Sequence, residues 1–232
     1  MSSVWLKRYA IYHFTKNKGY YSKLHHEYPF INIVLKYYKP NLDMVEIGCG
    51  TGFFLNCMLH YSSSVLVGVD ICRSMVTEAH KRFKKIGFLN GDAENLPFKS
   101  ASVRTVFVRN LLHHLVGGTR CLSKVNVTRT LEEIKRVSDN EGHIFFLEQC
   151  VLSKVLGWVL FWGSLLAARL NISLPKINLR DKVVVSFLTF NQLIHSLEQA
   201  GFNIIVGFFY HPYTGLHFGI IFGDAIIYAK RS

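Results

Sequence analysis

The sequence lacks the signatures of several special classes of protein. Its 232 residues include no C-x-x-C pair, so the cysteine spacing predicts neither a zinc site nor a disulfide framework, and reduced thiols are expected. Residues 1–21 carry four basic residues and no apolar segment of signal-peptide length, so no export is predicted and a cytoplasmic location is expected. The five cysteines are Cys49, Cys57, Cys72, Cys121 and Cys150.

Acidic residues are scarce. The chain has 15 of them against 27 Lys and Arg, a net charge of +12, and residues 1–40 hold seven basic residues against the single acid Glu27. A basic surface suits nucleic acid, anionic lipid or a phosphorylated substrate, and a merely solvated basic face would look the same. Half of the residues are hydrophobic and 14% are aromatic, which excludes disorder and predicts one domain with a large core.

Residues 44–52, MVEIGCGTG, read as a buried strand that enters a glycine-rich turn and then a helix. Glycines at alternate positions let the backbone turn tightly and approach a ligand, and the free N–H groups of the following helix add partial positive charge. This stretch therefore predicts a cofactor site, although a tight turn kept for packing would share the pattern.

Two other nucleotide-binding patterns lose support at this turn. A dinucleotide fingerprint needs its third glycine where Phe53 stands, and a phosphate-binding Walker loop needs a lysine after Gly52, which is absent. Asp70 ends the next predicted strand about 20 residues on, where doubly wound folds place a carboxylate that accepts hydrogen bonds from ribose hydroxyls. The ligand is therefore expected to carry a ribose but no pyrophosphate.

Further motifs follow in order: VGVD at 67–70, GDAENLPF at 91–98, LLHHL at 111–115 and LEEIKRV at 131–137. Together with EIGCGTG at 46–52, they resemble the class I S-adenosylmethionine-dependent methyltransferases, in particular the type-11 or quinone-biosynthesis group, over residues 40–150. The resemblance implies S-adenosylmethionine as cofactor. The chain departs from the usual pattern of the family at residues 103–104 and 140–143. These departures weaken any inference of the substrate from the resemblance.

The resemblance also assigns roles to residues. Glu46 would orient the ammonium end of the cofactor, Asp70 would hold the ribose hydroxyls, and Asp92 with the Ala93 N–H would meet the adenine edge. These are suitable donors and acceptors, although Asp70 could instead cap a helix and Asp92 could stabilise a turn. The full set of predicted cofactor-binding residues is Glu46, Gly48, Cys49, Gly50, Gly52, Asp70, Ile71, Asp92, Ala93 and Arg109.

His113 and His114 follow the predicted fourth strand, where the resembled family opens onto the methyl-accepting atom. Histidine is the natural proton acceptor near neutral pH, so both are candidate catalytic residues. One of two neighbours on a helix must nevertheless point away from any given site. The Asn-Pro-Pro-Tyr signature of nitrogen methylases that act on nucleic acids is absent, since residues 108–112 read VRNLL.

Strand and helix patterns alternate along the chain. They predict an α/β fold: a doubly wound, Rossmann-like sheet of seven mostly parallel strands. The resemblance adds that the antiparallel C-terminal hairpin places its last strand beside the fifth. Predicted strands cover 44–48, 65–70, 86–90, 103–108, 142–148, 202–210 and 216–230, and predicted helices cover 28–38, 52–61, 74–84, 124–137 and 189–200.

Within one domain, residues 1–40 are expected to form a helical cap, 41–150 the cofactor-binding core, 151–188 an apolar substrate-side insertion and 189–232 the last helix and hairpin. The insertion contains residues 155–168, a charge-free stretch with two tryptophans. As a helix it would be about 21 Å long, shorter than the ~30 Å hydrocarbon core of a bilayer, so it should not span a membrane. It predicts an apolar lid or a membrane-contacting helix, with ordinary core as the alternative.

These patterns favour methylation of a small, lipophilic acceptor, with peripheral contact to an anionic membrane near Lys154 and Arg169. One alternative is an RNA methyltransferase, which the charge of +12 favours. The other is a catalytically silent, cofactor-binding partner protein.

Overall fold

One sheet runs through the part of the chain that this computed structural model describes, residues 3–16, 28–39, 41–172, 183–210 and 222–232. Its strands are β1 (Met44–Ile47), β2 (Leu66–Asp70), β3 (Gly87–Asn90), β4 (Val103–Arg109), β5 (Ser138–Val151), β6 (Phe202–Tyr210) and β7 (Phe222–Arg231). The order is β3-β2-β1-β4-β5-β7-β6, with β1 to β5 parallel and β7 antiparallel to both of its neighbours. This confirms the predicted α/β fold, including the insertion of the last strand beside β5.

Helices cover both faces of the sheet. They are α1 (Ser3–Lys16), α2 (Tyr28–Tyr37), α3 (Phe53–Met58), α4 (Arg73–Arg82), α5 (Arg120–Val137), α6 (Lys154–Leu170) and α7 (Phe190–Gln199). Residues of α5 and α7 pack with Ile47 and Val106 on one face, and residues of α2, α3 and α4 pack with Met44 and Phe107 on the other. Because the central strands are buried from both sides, they are almost continuously apolar in sequence.

The sheet order reverses between β1 and β4. β2 and β3 lie beyond β1, whereas β5 and the C-terminal pair lie beyond β4. In doubly wound folds, ligands bind in the crevice at the carboxyl ends of the strands where the order reverses. The glycine-rich turn at 48–52 leaves β1 at this edge, and residues 110–114 leave β4 beside it.

Two predicted boundaries in the middle of the chain are wrong. Helix α5 begins at Arg120 rather than at residue 124, because the Thr119 side chain caps its first turn. Strand β5 begins at Ser138 rather than at residue 142, because Ser138 already pairs with Val103 before the register shifts in the ladder to β4. The chain therefore passes from α5 into β5 without a separate loop.

The predicted amino-terminal cap consists of two helices with different surroundings. Phe30 and Val34 of α2 are fully buried under the face of the sheet, so α2 is part of the core. Helix α1 instead contacts α4 through a hydrogen bond between the Thr15 and Ser74 hydroxyls (2.9 Å). Parts of the predicted cap (residues 1–2, 17–27 and 40), of the predicted insertion (173–182) and of the predicted last strand (216–221) lie outside the described residues.

Helix α6 contains the predicted helical stretch 155–168 and has two apolar sides. Phe161 and Leu165 face inward and are buried, whereas Trp158 and Trp162 are 57% and 40% exposed. A helix of 17 residues is about 25 Å long. In the described ranges, no helix is both long and apolar enough to cross a membrane.

Candidate active site

The glycine-rich turn has a backbone that only glycine adopts readily. Gly48, Gly50 and Gly52 have φ angles of 76°, 53° and 77°. A Cβ atom on Gly52 would lie 2.5 Å from the Phe88 ring, so the turn is pressed against β3 as well. Helix α3 starts directly after Gly52 and ends three residues before its predicted end. The turn therefore has a fixed, left-handed backbone at the crevice.

Asp70 binds this turn through its side chain. The Gly50 N–H donates to Oδ2 (2.8 Å) and the Cys72 N–H donates to Oδ1 (2.8 Å). Burial raises the pKa of Asp70, and the two N–H donors only partly offset that rise. Each carboxylate oxygen can accept a second hydrogen bond, so hydroxyl groups at the turn remain suitable partners. The N-cap of α4 is Cys72, so the alternative that Asp70 caps this helix is wrong, and Asp70 instead links the glycine-rich turn to the segment before α4.

Glu46 and Arg109 meet across the strands at the reversal point. The Arg109 guanidinium donates to Glu46 Oε1 at 2.9 Å, and its carbon lies 4.3 Å from the centre of the Phe54 ring. Both side chains are largely buried, so each charge depends on the other for compensation. Two predicted cofactor-binding residues are therefore brought together as one ion pair next to Gly48.

The predicted adenine-side motif is bound by α1. Lys7 pairs with Asp92 at 2.6 Å and with Glu94 at 2.8 Å. Burial lowers the pKa of Lys7, but the two carboxylates outweigh it, so the pKa is raised overall. Asp92 also accepts from the Glu94 N–H at 3.1 Å, as expected of a turn residue, and Ala93 next to it is buried.

Cys49 and Ile71 complete the predicted cofactor set. The Cys49 thiol packs at Gly68 of β2, and burial raises its pKa well above the ordinary value, with the Asp70 and Glu46 carboxylates adding to the rise. The side chain is therefore a neutral packing group. The carbonyl oxygens of Asp70 and Ile71 both accept from the Asn90 side chain, which joins the ends of β2 and β3.

These residues fit S-adenosylmethionine chemically. The Glu46 and Asp70 carboxylates suit an ammonium group and ribose hydroxyls, and the glycine-rich turn between them presents backbone without Cβ atoms. We refer to the loops at 46–52, 70–72 and 92–94 as the cofactor half of the site.

The candidate catalytic histidines stand in one 3₁₀ turn, Leu112–His114, after β4. The chain enters it through Asn110, which has a φ of 48°, and Leu111 packs at Gly48. The His113 ring contacts Glu148 of β5 through Nδ1 and stacks on Phe187 with centroids 4.8 Å apart. The His114 ring instead meets Phe14 of α1 edge-on at 4.8 Å. The two neighbours therefore contact different elements, as expected for adjacent residues.

An apolar cluster adjoins the histidine turn. Arg120 links α6 to the segment that contains Phe187. Its guanidinium donates to the Gly157 carbonyl in α6 and to the Phe187 carbonyl at 3.0 Å. We refer to residues 110–116, α6 and residues 183–189 as the acceptor half, with α1 lying across both halves. The buried members of the cluster are Leu6, Val116, Phe161, Leu165, Ala168 and Val184.

Several residues of this site could not be assigned from the sequence. Lys7 lies 85 residues from Asp92, and no local pattern links them. Phe14 and Phe187 likewise reach the histidines only through the tertiary fold. Glu148 did carry a signal in the sequence, because it is an acid that directly follows the apolar run 144–147. In the structure it is 2% exposed, which is rare for an acidic residue without partners.

Comparison with known proteins agrees with this geometry. Residues 45–146 match the profile of a methyltransferase domain. The chain is 26% identical over 195 residues to a demethylmenaquinone methyltransferase of Thermotoga maritima, covering 79% of this chain and 78% of the relative. It is 24% identical over 198 residues to a ubiquinone/menaquinone biosynthesis C-methyltransferase of Campylobacter jejuni, covering 79% and 77%. The crystal structure of geranyl diphosphate C-methyltransferase from Streptomyces coelicolor superposes with a TM-score of 0.63 at 13% identity, over 89% of this chain and 79% of that one.

Proposed function

The chain is a class I S-adenosylmethionine-dependent methyltransferase, and from that premise we propose that it methylates a small, apolar acceptor in its acceptor half. The observation that carries this proposal is the apolar cluster that α1, α6, Val116 and Val184 form beside the histidine turn. Such a wall favours an acceptor with a hydrocarbon or aromatic body. The names of the relatives, which are quinone and prenyl diphosphate methyltransferases, support the same acceptor class.

For the cofactor, we propose that the predicted residues of the cofactor half hold it. Glu46, fixed by Arg109, would receive the ammonium group, and the turn through Gly48, Cys49, Gly50 and Gly52 would follow the methionine and ribose parts. S-adenosylmethionine supplies an electrophilic methyl group on a sulfonium when it is bound. The protein positions the two reactants and excludes water, which supplies much of the rate in such a displacement.

The ribose and adenine would lie along the carboxyl ends of β2 and β3. Asp70 and the Ile71 backbone would meet the ribose hydroxyls, and Asp92 with Ala93 the adenine edge. Because Lys7 of α1 pairs with Asp92, α1 would cover the bound nucleoside.

We further propose that His113 accepts the proton that the acceptor loses. Its ring is held from two sides, by Glu148 and by Phe187, whereas His114 packs at α1. His114 would then shape the pocket together with Phe14.

The acceptor class is tested by methyl transfer from labelled S-adenosylmethionine to paired substrates. We expect product from a prenylated demethylquinol and much less from the same ring without its prenyl chain. The control substrate is bulk RNA at low and high salt. Product from RNA that falls steeply with added salt would instead establish the RNA methyltransferase alternative. If none of these substrates gives a methylated product, while calorimetry shows that the protein binds S-adenosylhomocysteine, the result would support a catalytically silent binding module.

We also propose that the outer side of α6 rests on an anionic membrane surface, from which an apolar acceptor would enter. The exposed apolar residues form one stripe along the helix, at Val155, Trp158, Val159, Trp162, Leu166 and Leu170. Residues 149–180 contain no acid and include four basic residues, so the surroundings of the stripe suit anionic headgroups.

Sedimentation with liposomes tests this contact. We expect wild type to bind vesicles with anionic lipid, and the double variant Trp158→Ser/Trp162→Ser to bind them several-fold less while keeping its cofactor affinity. The matched control, Val65→Ser/Leu89→Ser, removes exposed apolar side chains far from α6 and should bind like wild type. Equal loss in both double variants, or no binding by wild type, would exclude the membrane contact.

A further inference from the structure

Glu148 receives an unusual set of hydrogen bonds for one buried carboxylate. It lies in β5 directly after Leu147, whose partner in the ladder is Arg109 at the end of β4. The Leu111 and Leu112 N–H groups donate to Oε2 at 3.0 and 2.9 Å, and the His113 N–H and Nδ1 contact Oε1. From this geometry we infer that Glu148 is a positioning residue that sets the tautomer of His113 and leaves Nε2 as the proton acceptor. The inference rests on the proposed function for its catalytic consequence.

The direction of the Nδ1 contact follows from the other donors. Backbone N–H groups can only donate, and an ionised carboxylate can only accept. N–H groups are directed at both oxygens of Glu148, so the carboxylate is arranged as an acceptor, and in the inferred arrangement the ring nitrogen that meets Oε1 carries the hydrogen. In a neutral imidazole only one nitrogen carries a proton, so Nε2 then holds the lone pair.

The same carboxylate positions the backbone that carries the ring. Its bonds to Leu111 and Leu112 hold the turn, and the Asn110 N–H donates to the Leu147 carbonyl at 2.8 Å beside it. On the other side, the Ser186 N–H donates to the His113 carbonyl at 2.9 Å and Phe187 stacks on the ring. Both the position and the rotation of the His113 imidazole are therefore restrained.

The chemical role of this arrangement is to receive one proton. Methylation replaces a hydrogen of the acceptor by a methyl group, and the sulfur keeps the electron pair of the bond that breaks. The acceptor atom forms the new bond with a lone pair or a π pair, and the electron pair of its bond to hydrogen then replaces that pair, so the hydrogen leaves as a proton and passes to His113 Nε2. The imidazolium formed is stabilised by the Glu148 carboxylate on its other nitrogen.

Glu148→Gln tests the inference. The amide oxygen of the new side chain can still accept from the turn, but its NH₂ group would face Nδ1 and force that nitrogen to accept. We expect imidazole ¹⁵N NMR to show the Nδ1–H tautomer of His113 in wild type and the Nε2–H tautomer in the variant. The resonances are assigned by their loss in His113→Gln. We also expect kcat to fall about 10²–10⁴-fold, the usual contribution of a general base, with unchanged affinity for S-adenosylhomocysteine.

The controls separate positioning from folding and from the proposed function. Glu141→Gln changes an exposed acid of the same strand and should leave the tautomer and kcat unchanged. An Nε2–H tautomer in wild type, or normal kcat in a folded Glu148→Gln protein with the switched tautomer, would overturn the inference. If Glu148→Gln fails to fold, two other results test the inference. An Nε2–H tautomer of His113 in wild type, or a normal kcat in His113→Gln, would overturn it. Failure of the proposed function appears separately, as a wild type that methylates no apolar acceptor.

Discussion

The two halves of the site are assembled by different kinds of contact. In the cofactor half, the Gly50 N–H reaches Asp70 across 20 residues, between neighbouring strands. In the acceptor half, His113 reaches Glu148 across 35 residues and Arg120 reaches Phe187 across 67. The loops of the first half and the histidine turn both lie at the ends of adjacent strands, but the second half also includes α6 and residues 183–189, which reach it only through tertiary packing. Damage to one half should therefore leave much of the other intact.

The largest effect is expected from the buried side of α6. Phe161→Ala removes a fully buried ring from the apolar cluster and should lower the free energy of unfolding by about 3–5 kcal/mol. The matched control is Trp158→Ala on the exposed side, which should cost far less. Denaturant unfolding measures both, and calorimetry at low temperature should find the cofactor affinity of folded Phe161→Ala close to that of wild type. Loss of that affinity would show that the halves are not independent.

A smaller loss is expected from the glycine-rich turn. Gly52→Ala puts a Cβ atom against Phe88 and forces alanine into a left-handed conformation, which together should destabilise the fold by about 2–4 kcal/mol. The control is Gly163→Ala in α6, where a Cβ atom would meet nothing within 4 Å, so this change should stabilise by up to about 1 kcal/mol. Thermal unfolding compares the two. Equal stability of both variants would contradict the close contact between the turn and β3.

Asp70→Ala should act on cofactor binding. It leaves the Gly50 and Cys72 N–H groups without their acceptor and removes the expected ribose contact, so binding should weaken by about 1–3 kcal/mol. Asp139→Ala is the control, because Asp139 also accepts a backbone N–H, that of Glu141 at 2.9 Å, but at the start of β5 and far from the crevice. Titration calorimetry with S-adenosylhomocysteine is the measurement. Wild-type affinity in Asp70→Ala would remove Asp70 from the site.

The smallest effect is expected at Lys7, where α1 links the two halves. Lys7→Met breaks two partly exposed ion pairs, which should cost about 1 kcal/mol or less. We expect faster proteolysis within α1 and a modest change in cofactor affinity, whereas Arg8→Met, an exposed neighbour, should change neither. Unchanged proteolysis would mean that the other contacts of α1, those of Leu6, Phe14 and Thr15, are sufficient to hold the helix.

The local features of the cofactor half are easier to recognise in the sequence than the long-range contacts of the site, for a physical reason. The glycine spacing reflects dihedral angles that Gly48 and Gly52 adopt locally, and Asp70 follows its strand directly, so these features appear in short windows of sequence. Lys7 and Phe187 act through contacts that form only after distant segments meet. The start of β5 was missed for a related reason, since Ser138 joins the ladder by pairing with β4.

Arg120 has a consequence for how an acceptor would enter. Its guanidinium bridges the Gly157 and Phe187 carbonyls, and a Cβ atom on Gly157 would lie 3.1 Å from the latter, so α6 and residues 183–189 are in close contact. Separating the two segments would leave the partly buried Arg120 guanidinium without these two acceptors. Burial already lowers the pKa of Arg120. Amide hydrogens in the two segments should therefore exchange with solvent through one shared opening event. Access between α6 and residues 183–189 would then open in a single cooperative step, with its rate set by the lifetime of the closed pair.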